Sequence, residues 1–430
     1  MKYNSSGWLF TQDKLTNDVH DITYDDIDSL IRLSLEDNTW SQDVKKQVKY
    51  FDKNPGGEII LNQLRIMNVA GTTVTFPFGD IITFDSKRHF FRGENSQFEM
   101  SVPTLNRKIM KMSPIEQELF RAVSNMRIVQ FRKFIWNINV VPYWEAKISD
   151  VNYTALAQHY GFDTPLLDLT NDFLIALFFA TCKYDKDTDS YKPLSKEDIE
   201  KSDISRYGII FHSPNWMLDY MNGTQAIQLH EKMMQHDWSL PFNIDSGELD
   251  GVAFQIGYQP FYRCHFQSGY IYPMRENMPL QQDIRFEKLR FKQSPELSQK
   301  VYELMQKGKL VYPSEGISEA RDILTQIQNA VEFSEDDLLW VYDINRVDRN
   351  LFPTLESFRE AILEFSVNGK KIHIQPNEIK YHIGRPLLRR INKQYDNKDL
   401  LKPIGGILHH TSEQRRFREE RCKEIYGKLI

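Results

Sequence analysis

The sequence predicts an α+β fold, in which a core of mixed strands and helices carries small N-terminal and C-terminal extensions. Strand-like runs are interspersed with helix-like runs without a regular βαβ repeat. A chain of 430 residues is long enough for two or three domains, and 41% hydrophobic residues allow a sizeable core. We therefore predict a mixed α/β segment over 1–85, a core domain over 86–330 and a basic α+β extension over 331–430.

The N-terminal segment is polar and mixed. Residues 24–33 begin with acidic side chains and place Ile27, Leu30 and Ile31 at helical spacing, which predicts a helix. Residues 59–61 and 72–76 have the composition of strands.

The core domain alternates between the two types of element. We expect helices over 116–134, 155–160, 172–183, 295–306 and 319–331, the fourth with Ser294 as its cap and Pro295 at its first position. We expect strands over 88–93, 165–169, 207–212, 251–256 and 264–272.

The C-terminal extension is basic. We expect a helix over 354–365, a strand over 371–374 and a charged helix over 411–428. Residues 370–430 hold 15 Lys and Arg against 7 Asp and Glu, so the rest of the chain is acidic. A solvated helical surface explains this charge, and a contact with nucleic acid is the alternative. The basic side chains for such a contact are Arg389, Arg390, Arg415 and Arg416.

Several classes of protein are disfavoured. Cys182, Cys264 and Cys422 lie far apart and form neither a metal-type pair nor a disulfide framework, which suits a reducing cytoplasm. The N-terminus lacks an apolar signal core, and the apolar run 173–182 is about half of a membrane span. We expect a cytoplasmic protein without a membrane contact. No phosphate loop, nucleophile elbow or zinc-protease motif is present. The two adjacent histidines at 409–410 do not share one face of a helix or strand, so we do not expect a metal site there.

Two polar segments lie within apolar surroundings and mark a candidate site: the first island is 89–94 and the second is 158–170. In the first, Arg92 and Glu94 are two residues apart and share one face of a strand. They form either a structural ion pair or an anion receptor, because the planar guanidinium matches phosphate and carboxylate groups. Gly93 between them would let a ligand approach the backbone closely.

The second island joins the end of a helix to a strand. His159 and Tyr160 precede a turn that presents side chains to a cleft, although a structural histidine is the alternative. Asp168 and Thr170 share one strand face, and Thr170 or the next residue is expected to cap the following helix. Asp168 needs a partner, which Arg92 or Arg263 would supply.

These islands resemble the FRG domain, named for its Phe-Arg-Gly motif. The resemblance covers roughly 85–325, and its order of motifs makes it specific. The residues that carry it are those of 91–94, 103–107, 158–161, 164–170 and 176–180, with later blocks at 207–210 and at 263 with 267–270.

The FRG domain looks related to the ADP-ribosyltransferase fold, so the resemblance implies NAD as substrate. Arg92-Gly93 matches that fold's first strand, Leu169-Thr170 with 176–180 its second element, and 267–270 its third. The implied binding residues are Arg92, Gly93, His159, Tyr160, Thr164, Thr170 and Arg263. The implied catalytic residues are Arg92, Glu94, Asp168 and Gln267. Because Gln267 is not a glutamate and no Glu-x-Glu follows, Glu94 or Asp168 would supply the carboxylate, unless the domain binds without catalysis.

The resemblance implies a toxin or phage-defence effector, an enzyme that transfers ADP-ribose from NAD to RNA, DNA or protein. An antitoxin or inhibitor protein would be its partner. A non-catalytic nucleotide-sensing or partner-binding module and an NAD glycohydrolase are the alternatives.

Overall fold

A seven-stranded sheet forms the centre of the computed structural model and confirms the mixed α+β class. The structure describes residues 8–10, 15–36, 72–76, 79–83, 89–147, 151–218, 251, 253–255, 260–261, 263, 267, 269–274, 278–343 and 347–395. The predicted strand at 59–61 and the predicted helix at 411–428 lie outside these residues.

The strands of the central sheet are β1 (Val19–Asp21), β4 (His89–Glu94), β5 (Leu166–Thr170), β8 (Tyr207–Pro214), β9 (Phe254–Gln255), β10 (Gly269–Pro273) and β11 (Glu287–Lys292). Their order in the sheet is β1-β11-β8-β4-β5-β10-β9. The pair β1–β11 is parallel, and every other neighbouring pair is antiparallel.

Short two-stranded ladders accompany this sheet, and one of them directly follows the helix Phe173–Thr181. The ladders pair β2 (Thr72–Phe76) with β3 (Gly79–Thr83), β6 (Cys182–Asp185) with β7 (Ser190–Pro193), β12 (Glu332–Ser334) with β15 (His373–Gln375), and β13 (Ser366–Val367) with β14 (Lys370–Lys371).

The helices are α1 (Tyr24–Glu36), α2 (Thr104–Ile109), α3 (Pro114–Ile135), α4 (Val140–Lys147), α5 (Tyr153–His159), α6 (Phe173–Thr181), α7 (Lys196–Glu200), α8 (Asn215–Leu218), α9 (Pro295–Leu304), α10 (Arg321–Gln328), α11 (Glu335–Asp343), α12 (Leu355–Glu364) and α13 (Arg385–Tyr395). Short 3₁₀ turns cover Ile204–Arg206 and Gly316–Ala320.

One face of the sheet is covered by α1, α6 and α9. The almost wholly apolar α6 buries Phe173 to Phe178 against Phe91, Ile210 and Leu289 of the sheet. β1 joins the sheet beside β11, and Ile27 and Leu30 of α1 share this core. The predicted boundary at residue 85 stays a prediction, but part of the segment before it belongs to the central sheet.

A chain of buried polar side chains lies under residues 8–10. Glu287 accepts from the backbone N–H groups of Leu9 and Phe10 and contacts His212 Nδ1 at 2.6 Å. The Nε2 atom of His212 lies 2.8 Å from Nδ1 of His89. Burial, and then His212, lower the pKa of His89 to about 2, which keeps this imidazole neutral. The N-terminal segment is thus attached to the sheet through a buried carboxylate.

The long helix α3 joins the two ends of the structure. A capping box between Ser113 and Glu116 starts this helix, with Pro114 at its first position. Its N-terminal half packs with α11 and α12 in one core, and its C-terminal half packs with α5, α10 and α13 in another. The extension after residue 331 therefore rests on a helix of the core domain.

Most expected elements form within a few residues of their predicted bounds, and two expectations are corrected. β10 begins at Gly269, because a turn containing Gln267, whose N–H donates to the Arg263 carbonyl, precedes it. The cap of α6 is Asp172, which accepts from the N–H of Leu174 over 2.8 Å, and neither Thr170 nor Asn171.

No helix among the described residues is long and apolar enough to cross a membrane.

Candidate functional site

The candidate site lies where two central strands separate. Among the described residues, Phe91 and Thr170 form the one bridge between β4 and β5. Residues paired in register share a face, so Asp168 lies on the helical face with Phe91, and Arg92 lies on the opposite face. The two strands diverge beyond this bridge and leave a gap in the sheet.

A cavity of about 310 Å³ occupies this gap. Its volume is at the lower end of the roughly 300–1,000 Å³ typical of small-molecule sites. It combines charged, amide and aromatic side chains, contributed by Phe91, Arg92, Gly93, Glu94, Asn95, Phe98, Arg107, His159, Asp168, Leu169, Thr170, Phe179, Cys182, Tyr184, Tyr191, Gln267 and Gly269.

Arg92 bridges the gap. Its Nη1 donates to the backbone carbonyl of Asp168 over 2.9 Å, and its Nε donates to Glu94 Oε1 over 3.0 Å. The guanidinium is thereby held in one orientation at the cavity wall, with its side chain 22% exposed. The structural ion pair between Arg92 and Glu94 forms, and it also faces the cavity. The two interpretations of the first island, an ion pair and an anion receptor, are therefore compatible.

Gly93 is required because α6 packs directly against its Cα atom. A Cβ atom at this position would lie 1.7 Å from the carbonyl oxygen of Ala176 in α6. Only glycine lets the helix approach the strand so closely. Gly93 also lines the cavity, so its expected close contact with a ligand through the backbone stays a prediction.

His159 and Asp168 contribute buried polar atoms to the cavity. Within the described part of the chain, Nε2 of His159 and Oδ1 of Asp168 have no hydrogen-bond partner. Burial lowers the pKa of His159, the Asp168 carboxylate opposes this shift and Arg263 adds to it. The expected ion pair of Asp168 with Arg92 or Arg263 does not form, because Arg92 reaches its backbone carbonyl and Arg263 pairs elsewhere.

Thr170 and Gln267 also line the cavity, from β5 and from the turn before β10. The hydroxyl of Thr170 accepts from the N–H of Asp172, so it shapes the entry to α6. Thr164 lies away from the cavity lining, and its buried hydroxyl donates to Gln158 Oε1 over 2.7 Å.

Tyr160 and Arg263 belong to a buried network beside the cavity. Tyr160 donates to Glu315 Oε1 over 2.7 Å, and burial followed by Glu315 raises its pKa well above the usual value. Arg263 Nη2 donates to Asp189 over 2.9 Å and to Ser318 over 2.8 Å. Neither residue is part of the cavity lining, because their polar groups bond to Glu315, Asp189 and Ser318 instead.

Several lining residues carry no motif that reveals them in the sequence. Tyr184 and Tyr191 come from the β6–β7 hairpin, with their rings 5.5 Å apart. Burial raises the pKa of Cys182 to about 12, which makes its thiol a poor nucleophile. Arg107 of α2 and Phe98 enter from the residues that follow β4. Arg107 ends the segment 103–107 that carries the FRG resemblance, but that segment gave it no role in the site. Exposed aromatic residues are common, so only the fold distinguishes Phe98.

Two of the four arginines that we expect to contact nucleic acid lie within the described residues, and they differ in their contacts. Arg389 is exposed on α13, whereas Arg390 Nε donates to Glu319 over 3.0 Å. Arg415 and Arg416 lie outside the described residues. No cluster of His, Cys, Asp or Glu suited to a metal ion occurs among the residues that the structure describes.

Residues 87–189 match the family model of the FRG domain, which confirms the resemblance for this part of the chain. The match contains Arg92, His159, Asp168 and Thr170, but it ends before Gln267. The chain has no significant match among curated proteins or solved structures.

Proposed function

Because the chain contains an FRG domain at 87–189, we propose that it is an ADP-ribosyltransferase-like effector that consumes NAD in the cavity between β4 and β5. The observation that carries the proposal is the combination of a fixed guanidinium with two unpartnered buried polar atoms in one cavity. Unpartnered buried polar atoms that converge on one cavity, together with a histidine whose pKa is lowered by burial, favour a functional site over a structural one.

The charges of the cavity suit a zwitterionic ligand. Arg92 and Arg107 supply two guanidinium groups, and Glu94 and Asp168 supply two carboxylates. Glu94 is already paired with Arg92, whereas the Asp168 side chain has an atom without a partner. NAD combines an anionic diphosphate with a cationic nicotinamide ring. We assign the diphosphate to the arginines and the nicotinamide ribose to the side of the cavity that holds Asp168.

The reaction breaks the bond between the nicotinamide nitrogen and C1′ of the ribose. The bonding electron pair leaves with nicotinamide, and positive charge develops on C1′ and the ring oxygen. The Asp168 carboxylate stabilises this charge, since fixed groups aimed at developing charge lower the barrier most. The acceptor's lone pair then bonds to C1′, and its proton passes to Asp168.

His159 and Gln267 position the reacting ribose in this proposal. The lowered pKa of His159 keeps the imidazole neutral, so Nε2 can donate to or accept from a ribose hydroxyl without adding charge. Gln267 offers an amide where the ADP-ribosyltransferase fold implied by the resemblance carries a polar residue or a carboxylate, and it orients the ligand without acting as a base.

A non-catalytic nucleotide sensor is the second candidate. It is favoured by Glu94, because the carboxylate nearest to the guanidinium is already paired with Arg92 and Ser101. A sensor would bind NAD and release no nicotinamide. An NAD glycohydrolase would release nicotinamide with water as the acceptor and label no macromolecule.

In the cell, we propose the role of a toxin or phage-defence effector that an antitoxin or inhibitor protein restrains. The basic extension favours RNA or DNA as the acceptor over protein. Its charge would draw the phosphate backbone towards the domain, and such attraction is independent of base sequence.

The test incubates the full chain with NAD labelled in its adenylate phosphate and a cell extract, and measures both nicotinamide release and label in protein, RNA and DNA. We expect both signals, with a loss of about tenfold to a hundredfold in Arg92→Ala, since a charged hydrogen bond to phosphate contributes about 1.5–3 kcal/mol. The matched control is Arg206→Ala, which removes an exposed arginine from the turn Ile204–Arg206, outside the cavity lining and the basic extension. Nicotinamide release at the buffer rate would refute the proposed reaction.

A further inference from the structure

Phe98 and Arg107 form the rim of the cavity. The Phe98 side chain is 43% exposed, and Arg107 is exposed on α2, yet both line the same space as Arg92. An exposed aromatic residue on its own needs no explanation. An aromatic and a cation together at the mouth of a charged cavity have the composition of a nucleotide subsite.

The loop that carries Phe98 is firmly held. The side chain of Gln281 donates to the Phe98 carbonyl over 2.8 Å and accepts from the Ser101 N–H over 2.9 Å. The N–H of Gln97 donates to the Ile204 carbonyl over 3.0 Å. The exposed ring is therefore presented on a fixed backbone, and holding a contact group in place before binding reduces the entropy lost on binding.

The same bonds connect the rim to Arg92. Gln281 Nε2 donates to Ser101 Oγ over 2.8 Å, Ser101 Oγ donates to Glu94 Oε2 over 2.6 Å, and Arg92 donates to the other oxygen of Glu94. One continuous set of hydrogen bonds thus fixes the guanidinium and the Phe98 loop relative to each other. This is the arrangement required to bind two parts of one ligand at a set separation.

The exposure of Phe98 and Arg107 places them on the solvent side of a cavity whose wall includes the half-buried Arg92. A dinucleotide has two halves joined by a diphosphate. With the nicotinamide ribose beside Asp168 and the diphosphate at the arginines, the adenosine half of the ligand reaches this rim.

We propose that Phe98 and Arg107 form a second subsite, which binds the adenosine half of the dinucleotide by stacking on the base and contacting its phosphate. This inference rests on the proposed function, since it assumes that NAD is the ligand. The subsite selects dinucleotides over mononucleotides, because nicotinamide mononucleotide has no adenosine half to occupy it.

Calorimetric titrations of the full chain with NAD, nicotinamide mononucleotide and 5′-AMP test the subsite. Phe98→Ala is expected to weaken NAD about tenfold, within the range of base–aromatic stacking, and to leave the mononucleotide unchanged. Arg107→Ala is expected to act in the same direction, and both variants should abolish AMP binding. Ile115→Ala, which removes an exposed apolar side chain from α3, is the control.

The outcomes separate the inference from the function on which it rests. AMP binding that depends on Phe98, without any cleavage of NAD, retains the subsite and refutes the reaction. Equal weakening of NAD and mononucleotide in Phe98→Ala overturns the subsite, as does an unchanged affinity for NAD. If Phe98→Ala lowers label transfer but not NAD affinity, the ring contacts the acceptor and the inference is wrong.

Discussion

Ser101 donates a hydrogen bond of 2.6 Å to Glu94 and thereby fixes the carboxylate whose other oxygen accepts from Arg92. Glu94 is 7% exposed, so this carboxylate is buried with both oxygens in use. We therefore expect Glu94 to hold the guanidinium in place. We expect Asp168, whose Oδ1 has no partner among the described residues, to be the carboxylate that acts on a ligand, and this difference can be measured.

Glu94→Gln should reduce both stability and NAD affinity. The amide is neutral, so the charge-assisted contact with Arg92 is lost and a donor is placed where Ser101 also donates. We expect about 1–3 kcal/mol less free energy of unfolding, the range for a disrupted buried polar group. Denaturant titration measures this loss. Asp168→Asn is the matched comparison, and we expect it to lower turnover much more than stability, whereas the reverse pattern would exchange the two roles.

Expression of the chain alone should arrest growth if it consumes NAD. Arg92→Ala should relieve the arrest, because a charged hydrogen-bonded contact to phosphate contributes about 1.5–3 kcal/mol. Growth curves and intracellular NAD are the measurements, with Arg206→Ala as the control. A folded Arg92→Ala protein that arrests growth as strongly as the parent would contradict the proposed role of Arg92.

Gly93→Ala should prevent normal folding. The new Cβ would lie 1.7 Å from the Ala176 carbonyl oxygen, so α6 would have to move off the sheet. Overpacking in a core costs about 1–3 kcal/mol or more. Gly384→Ala is the control, because its Cβ would meet Pro386 at 3.9 Å, an ordinary contact. Thermal unfolding should separate the two variants clearly, and equal melting temperatures would contradict the packing argument.

Asp172 should make stability depend on pH. Burial raises its pKa to about 6, while the N–H groups that it caps act in the opposite direction. A raised pKa in the folded state means that the stabilising contribution is present below the unfolded pKa of about 4 and is lost as the pH rises through about 6.

Asp172→Asn keeps a good cap without the charge. We therefore expect it to raise the free energy of unfolding by about 1 kcal/mol at pH 8, less than the full pKa shift implies because the residue Asp172 keeps some exposure to solvent, and to have little effect near pH 4. Urea titrations at pH 4, 6 and 8 provide the comparison. A gain at pH 4 as large as that at pH 8 would show that charge is not the cause.

Nucleic-acid binding by the basic extension should depend on Arg389 more than on Arg390. Arg389 is exposed, whereas Arg390 is engaged with Glu319. Each lost phosphate contact should reduce the slope of log K against log salt by about one unit. Anisotropy titrations across salt concentrations measure this slope for Arg389→Ala and Arg390→Ala. Equal slopes for the parent and both variants would indicate that this helix does not contact phosphate.

The order of elements was accessible from the sequence because it depends on local patterns. The capping signals at Ser294 and the helical spacing of Ile27, Leu30 and Ile31 act within a few residues, and the corresponding helices form. The start of β10 was misplaced, because residues with strand-like composition also form the turn at Gln267. Composition does not reveal where a turn interrupts an apolar run.

The site was only partly accessible, because its contacts are distant in the sequence. Arg92, His159, Thr170 and Gln267 line one cavity, and their functional roles stay predictions. Arg263 was assigned to the ligand, but it contacts Asp189 and lies 3.3 Å from Glu315, partners 74 and 52 residues away.

The separation of β4 from β5 has a consequence for how this protein can be divided. The range that the family model matches, 87–189, contains both of these strands but neither β8 nor β10, which flank them in the sheet. Expressed alone, it would leave two long edges of unpaired backbone groups, which favour aggregation. We therefore expect the unit that folds to be larger than the range that the family model matches, and fragments for experiments have to follow the sheet.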